Sequence, residues 1–219
     1  MEILYGEGQE VLWKGVKMGK AVVFALFAMV ATMFAQDVKL PAVEMKGGKT
    51  LMEALAARKT SRDFQKGATL TKQELSNLLW CANGFNRKGM RTAPSAVNAQ
   101  AVDIYVFDAE GVWLYDAANQ ALKTVKKGDF RKLTGKQPFV ANAAVNLLYV
   151  YDKAKWPMGT TDGKWASADA SFCAENVYLY CASANLKTVV RGMFDEAALR
   201  QLLELPESKM LVLTQSVGR

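Results

Sequence analysis

The stretch Arg91-Thr92-Ala93-Pro94-Ser95-Ala96-Val97-Asn98-Ala99-Gln100, followed closely by the run Val102–Phe107, decides how this sequence is read. The first ten residues are mostly small or polar and are broken by Pro94, so they read as a turn. The run that follows is rich in β-branched and aromatic residues and reads as a strand. Ala109-Glu110-Gly111 then leads into a second strand-like run, 112–115, and the pair makes a hairpin. Small side chains in the turn let a flat ring approach backbone amides, and the Asn98 side chain can both donate to and accept from a ring edge. An ordinary turn before a strand would look the same, and this segment alone does not separate the two readings.

Working outward, residues 51–57 read as a short helix. Thr71-Lys72-Gln73-Glu74 is a capping box that opens a helix carrying Leu75, Leu78 and Leu79 on one face and ending at Gly84. Residues 83–94 read as a loop. Downstream, 143–151 is an apolar run that suits a central strand covered on both faces. Residues 167–184 place Cys173, Ala174, Val177, Tyr178 and Cys181 at helical spacing, so this helix is expected to be buried on most sides. A short strand at 188–190, a helix capped by Asp195 and running to Leu205, and a last strand at 210–214 complete the pattern. There is no internal repeat. Helices and strands are mixed without strict alternation, which predicts an α+β fold.

At 219 residues, 51% hydrophobic and 22% charged, the chain can build one real core, and disorder is not the expectation. The net charge of +7 is scattered. Its densest stretch, 123–132, also holds Asp129, and no basic helix or aromatic-basic module stands out, so no nucleic-acid partner is expected. The absence of His removes Ser-His-Asp and Cys-His catalysis and the commonest metal ligand, and no metal site is expected. Cys173 and Cys181 lie two helical turns apart, about 12 Å along an axis, too far for a disulfide; with Cys81 they read as small buried apolar residues.

The N-terminal end has another character. Lys14, Lys17 and Lys20 precede an uncharged apolar run, 21–35, after which the chain turns polar. That is the pattern of a secretory signal peptide. The run would rise only about 22 Å as a helix, short of the roughly 30 Å bilayer core, so no stable membrane span is expected in the mature chain. The expected organisation is a signal peptide over 1–36 with its core at about 18–35, a leader over 37–49, and one domain over 50–219, exported to the periplasm.

Two further segments carry candidate chemistry. Arg58-Lys59-Thr60-Ser61-Arg62 places three cations and two hydroxyls in five residues, which can hold a phosphate. A basic helix end satisfying the helix dipole explains it as well, and better on this segment alone. Val190-Arg191-Gly192-Met193-Phe194 follows a strand, and its Gly lets backbone approach a ligand.

Taken in order, these segments resemble the nitroreductase family. Residues 58–62 look like its Arg-x-Ser/Thr-x-Arg/Lys segment and 94–100 like its Pro-Ser-x-x-Asn-x-Gln segment. Residues 167–186, with Glu175-Asn176, resemble its long central helix, and 199–218, with Leu205-Pro206-Glu207, its closing helix and strand. Leu78-Leu79-Trp80, Gly84, Arg91 and the strand 112–115 look closest to the branch that includes the dehydrogenases acting on azole-forming peptides.

The resemblance implies a central, mostly antiparallel sheet flanked by helices, in a domain-sharing homodimer with FMN at each subunit interface. It implies that Arg58, Lys59, Thr60 and Arg62 hold the ribityl phosphate side from one subunit. Pro94, Ser95, Ala96 and Asn98 would line the ring from the other, and the backbone of Val190, Arg191 and Gly192 would face N5 and O4. Arg219 stands where the family places a late basic phosphate contact. The implied activity passes hydride from a reduced donor, NAD(P)H being one candidate, through flavin N5 to a small-molecule acceptor in two half-reactions. The alternative is an exported, non-catalytic flavin-binding protein of the same fold. Two departures are visible. Arg191 stands where some members carry an acid, and many members continue past the position of Arg219 into a C-terminal arm.

Overall fold

The structure is a computed structural model that describes residues 10–13, 16–19 and 37–219. It divides into two compact units, Met1–Gln36 and Asp37–Arg219. In the first, β1 (Glu10–Trp13) pairs antiparallel with β2 (Val16–Gly19). The apolar run 21–35, read as the core of a signal peptide, lies outside the described residues.

In the second unit the chain runs through β3 (Val38–Lys39), α1 (Leu51–Ala57), α2 (Lys72–Asn83), β4 (Phe85–Arg87), β5 (Met90–Arg91), β6 (Val102–Phe107), β7 (Gly111–Asp116), β8 (Ala121–Lys127) and β9 (Val145–Asp152). It ends with α3 (Ala166–Ser183), β10 (Lys187–Arg191), α4 (Glu196–Leu203) and β11 (Lys209–Gly218). Seven strands form one sheet in the order β10-β11-β9-β6-β7-β8-β3, every neighbouring pair antiparallel. The expected α+β class and antiparallel sheet are therefore what the chain forms.

The apolar run at the centre of the sequence is also at the centre of the sheet. Every residue of β9 is buried. Successive side chains of a strand point to opposite faces. Leu147, Tyr149 and Tyr151 accordingly pack with Leu78 and Leu79 of α2 and Cys173 and Val177 of α3, while Leu148 and Val150 pack with Leu199 and Leu203 of α4. Covering on both faces is why the run shows no polar alternation. From β9 across β11 to β10 the core turns polar, and a hydrogen-bond chain runs through it. The Tyr149 hydroxyl donates to Gln215 Oε1 (2.6 Å), and Gln215 Nε2 donates to Thr188 Oγ1 (3.0 Å) and to the Ala174 carbonyl (3.2 Å).

Several local readings change. The expected loop 83–94 contains the β4–β5 hairpin. The strand read as 210–214 extends to Lys209–Gly218, because its polar end is paired on both sides by β9 and β10. β8 is legible only as a stretch of charge: its Lys123, Lys126 and Lys127 are exposed near the sheet edge, which β3 closes. Helix α3 is buried along one face only. Ala166, Asp169, Ala170, Cys173, Val177 and Cys181 turn inward, while Phe172 and Glu175 are exposed. The three cysteines are free, and burial raises the thiol pKa of each, Cys81 to about 11.

Candidate functional site

Helix α1 opens on a capping box between Thr50 and Glu53 and ends at Arg58, which leaves the helix at φ −57°, ψ 122°. The last turn of α1 holds no basic residue. The cations of 58–62 therefore lie beyond the helix, in chain laid beside β10, rather than against its dipole. The Ser61 amide donates to the Thr188 carbonyl (3.0 Å). Tyr178, from α3, ties the two segments together. Its hydroxyl lies 3.0 Å from Thr60 Oγ1 and accepts from the Val190 amide at 3.1 Å, and the Arg58 guanidinium sits 5.4 Å from its ring centre. Arg58, Lys59 and Arg62 have no ion pair among the described residues. Lys59 and Ser61, with Lys49, Tyr178 and Lys187, line a cavity of about 320 Å³ that no carboxylate enters.

The C-terminal residue joins the same end of the sheet, since the Gln65 amide donates to the Arg219 carbonyl (2.7 Å). The Arg219 side chain is engaged elsewhere, in an ion pair with Glu74 at 2.6 Å.

The segment 94–100 makes a tight turn. Val97, Asn98 and Gln100 adopt φ of 48°, 53° and 50°, the left-handed region that non-glycine residues rarely occupy. Hydrogen bonds hold it. Gln100 N donates to Ser95 Oγ (2.9 Å), Arg91 Nε donates to Gln100 Oε1 (2.9 Å), and Ala96 N donates to Asp169 Oδ1 (3.0 Å). Pro94 and Asn98 are exposed, and Ser95 and Ala96 half-buried.

Val190 and Arg191 end β10, and Gly192 follows it. Gly192 is exposed and Val190 half-buried, but the Arg191 side chain turns into the interior. Its guanidinium donates to the Thr134 carbonyl (2.6 Å), Asn146 Oδ1 (3.1 Å) and Ser216 Oγ (2.9 Å), while its Nε has no partner. Burial pushes its pKa down to about 10, and no carboxylate pairs with it among the described residues. Arg191 thus places a charge behind the strand end, while its backbone is the part that the resemblance assigns to the ring.

Within one chain, 58–62, Val190 and Arg219 come together, whereas 94–98 does not join them. The loop hangs from Asp169, nine residues before Tyr178 on the same helix, about 13 Å along its axis. Sequence reasoning missed both anchors. In the sequence Tyr178 reads as one apolar position among several, though a buried phenol usually finds a polar partner. Asp169 had a clearer signal: helical spacing puts it among Ala166, Ala170 and Cys173, where an acid is out of place.

The Nitroreductase family model matches residues 55–219. A protein of Methanocaldococcus jannaschii named as a nitroreductase is 28% identical over 196 residues, covering 84% of this chain and 96% of the relative. A crystal structure from Ralstonia eutropha, likewise described as a nitroreductase, is 36% identical with a TM-score of 0.78, covering 84% of this chain and 89% of that one. A Desulfovibrio desulfuricans structure described as a nitroreductase in complex with FMN shares the fold at a TM-score of 0.57 and 17% identity, covering 78% and 86%.

Proposed function

This chain belongs to the nitroreductase family, and from that premise we propose that it is an FMN-dependent oxidoreductase working as a homodimer with a flavin held at each subunit interface. The observation that carries the reading is the set of exposed cations Arg58, Lys59 and Arg62, without ion pairs among the described residues and aligned beside β10 through the Thr60–Tyr178–Val190 contacts. Phosphate is the anion this donor set fits, because guanidinium groups bind it through paired, charge-assisted hydrogen bonds. Arg219 adds a further basic group once its exposed pair with Glu74 opens.

Bound FMN supplies a ring that takes an electron pair from a reduced donor and passes it to an acceptor. The residues of this chain position that ring. Gly192 leaves the backbone after Val190 open to close approach. Arg191 keeps a positive charge in the low-dielectric interior next to that backbone, where it favours added electron density nearby. Pro94, Ser95, Ala96 and Asn98 offer a small-residue surface to the ring in the partner's site.

The apolar run 21–35 acts in this reading as an export signal, so NAD(P)H, a cytoplasmic reductant, would give way to another donor once the protein is outside. The visible spectrum of the purified chain tests the function. A yellow protein that bleaches with a reduced donor and recolours with an acceptor supports the enzyme, and one that stays yellow with every donor is the non-catalytic flavin carrier. Arg58→Ala with Arg62→Ala should abolish FMN retention. A folded, colourless protein that takes up no added FMN sinks the proposal.

A further inference from the structure

Asp169 sits in the first turn of α3 with only 2% of its surface exposed. One carboxylate oxygen accepts from Ala96 N, and the other has no hydrogen-bond partner among the described residues. No cation pairs with it among the described residues. The Tyr151 hydroxyl, on the strand that packs under this helix, is buried and also lacks a partner. A buried carboxylate costs several kcal/mol of solvation unless it is well paired, and a single amide is poor compensation. Packing does not require an acid here, since the neighbouring inward positions, Ala166, Ala170 and Cys173, are small and apolar.

The amide it does bind belongs to a turn that needs holding. Three of the five residues 96–100 are in the left-handed region, among them Val97, a β-branched residue for which φ 48° is a genuine outlier. Val97 and Gln100 each cost about 1–2 kcal/mol there, and Asn98 less. The remaining ties of the turn reach Ser95, Gly89, Asn98 and Arg91, all within the 89–100 segment itself. Among the described residues, the Ala96–Asp169 bond fastens 94–100 to α3. Strain of this kind persists where surrounding structure over-determines it, and it concentrates at ligand sites.

We propose that Asp169 is a positioning residue: through its bond to Ala96 it fixes the 94–100 turn to α3 in its left-handed form and so sets the grip of that turn on the flavin ring. The second half rests on the FMN reading; the first half does not.

The test uses the full chain with three variants. Asp169→Leu keeps the size and removes the acceptor, Asp169→Asn keeps an acceptor oxygen, and Ala96→Pro removes the donor while leaving Asp169 in place. Amide hydrogen exchange across 94–100 is read on FMN-free protein, and FMN affinity and the visible spectrum of the bound flavin are read by titration. With Asp169→Leu and Ala96→Pro, exchange should rise about tenfold and FMN binding weaken about tenfold, with a shifted flavin band. Asp169→Asn should restore both to within about threefold of the parent. A merely structural role would lower stability without moving the flavin band or being rescued by Asn. Unchanged exchange in Asp169→Leu and Ala96→Pro overturns the proposal. An Asn variant as impaired as the Leu variant overturns it too, since charge rather than the hydrogen bond would then be at work. If Asp169→Leu does not fold, Ala96→Pro and Asp169→Asn still decide. A parent that takes up no FMN removes the flavin reading, while the exchange comparison still decides whether Asp169 holds the turn.

Discussion

Among the described residues the Arg191 guanidinium meets three neutral acceptors and no acid, so its stability rests on geometry rather than on charge pairing. That geometry depends on Gly135. A Cβ there would stand 1.8 Å from Arg191 Nη1 and 2.9 Å from Val140 Cγ2, so the glycine is required by close approach and not by backbone conformation. Arg191→Lys should cost about 2 kcal/mol, because an ammonium cannot span the three acceptors of a planar fork. Gly135→Ala should cost about 1–3 kcal/mol by overpacking. The two are expected to be non-additive: in the Lys background the guanidinium is gone, and Gly135→Ala should cost at least about 1 kcal/mol less. Denaturant unfolding of the four proteins measures this, and strictly additive costs would show that the clash is relieved elsewhere. At this scale the sequence exposes identity but not direction. The sequence puts Arg191 just after a strand at 188–190, and the strand includes it; which way its side chain turns depends on Thr134, Asn146 and Ser216, residues 25 to 57 positions away.

Elements were legible where their signals are local. The α2 capping box is readable because Thr71 and Glu74 are three residues apart, and both reciprocal bonds form. Strand β8 was hidden because its pairing with β7 and β3 is not written in its own lysine-rich composition. The turn between β7 and β8 nevertheless carries a local device. Asp116 accepts from the Ala118 and Asn119 amides and from the Lys123 ammonium. Lys123, then Asn119, hold its carboxyl pKa down to about 2. A depressed carboxylate stabilises the fold above its unfolded pKa of about 3.9 and loses that contribution as pH falls toward its folded value. Lys123 is half-exposed, with 52% of its side chain accessible, so screening limits the contribution to about 1 kcal/mol. Asp116→Asn should therefore lower stability by about that much at pH 7, and the gap from the parent should close between about pH 5 and pH 2. A gap that stays constant over this range would mean that the turn is held by its amide bonds alone.

The whole molecule was legible as an ordered set of segments, because each marks a place where chain geometry is constrained: a helix end, a tight turn, a strand end. What the set left open is how α3 divides its faces. Its inward face closes the core, but Phe172 and Val97 remain 48% and 54% exposed, and on α1, which packs against α3, Leu51 and Met52 are 64% and 73% exposed. Single exposed apolar residues are ordinary, whereas several on two packed helices and the adjoining turn suit a covered surface. The proposed homodimer would cover it, and would account for the separation of 58–62 from 94–98 along α3 in one chain: each site would take one segment from each copy. Met52→Glu with Phe172→Glu places charge on both helices without touching a buried position. The pair should convert a dimer to a monomer in light scattering while circular dichroism stays unchanged. If the site is shared, FMN affinity should fall with the dimer, by at least about tenfold, since half of the contacts would leave together. A variant that remains dimeric would put the interface elsewhere on the surface, and a monomer that binds FMN as the parent does would show that one chain completes its own site.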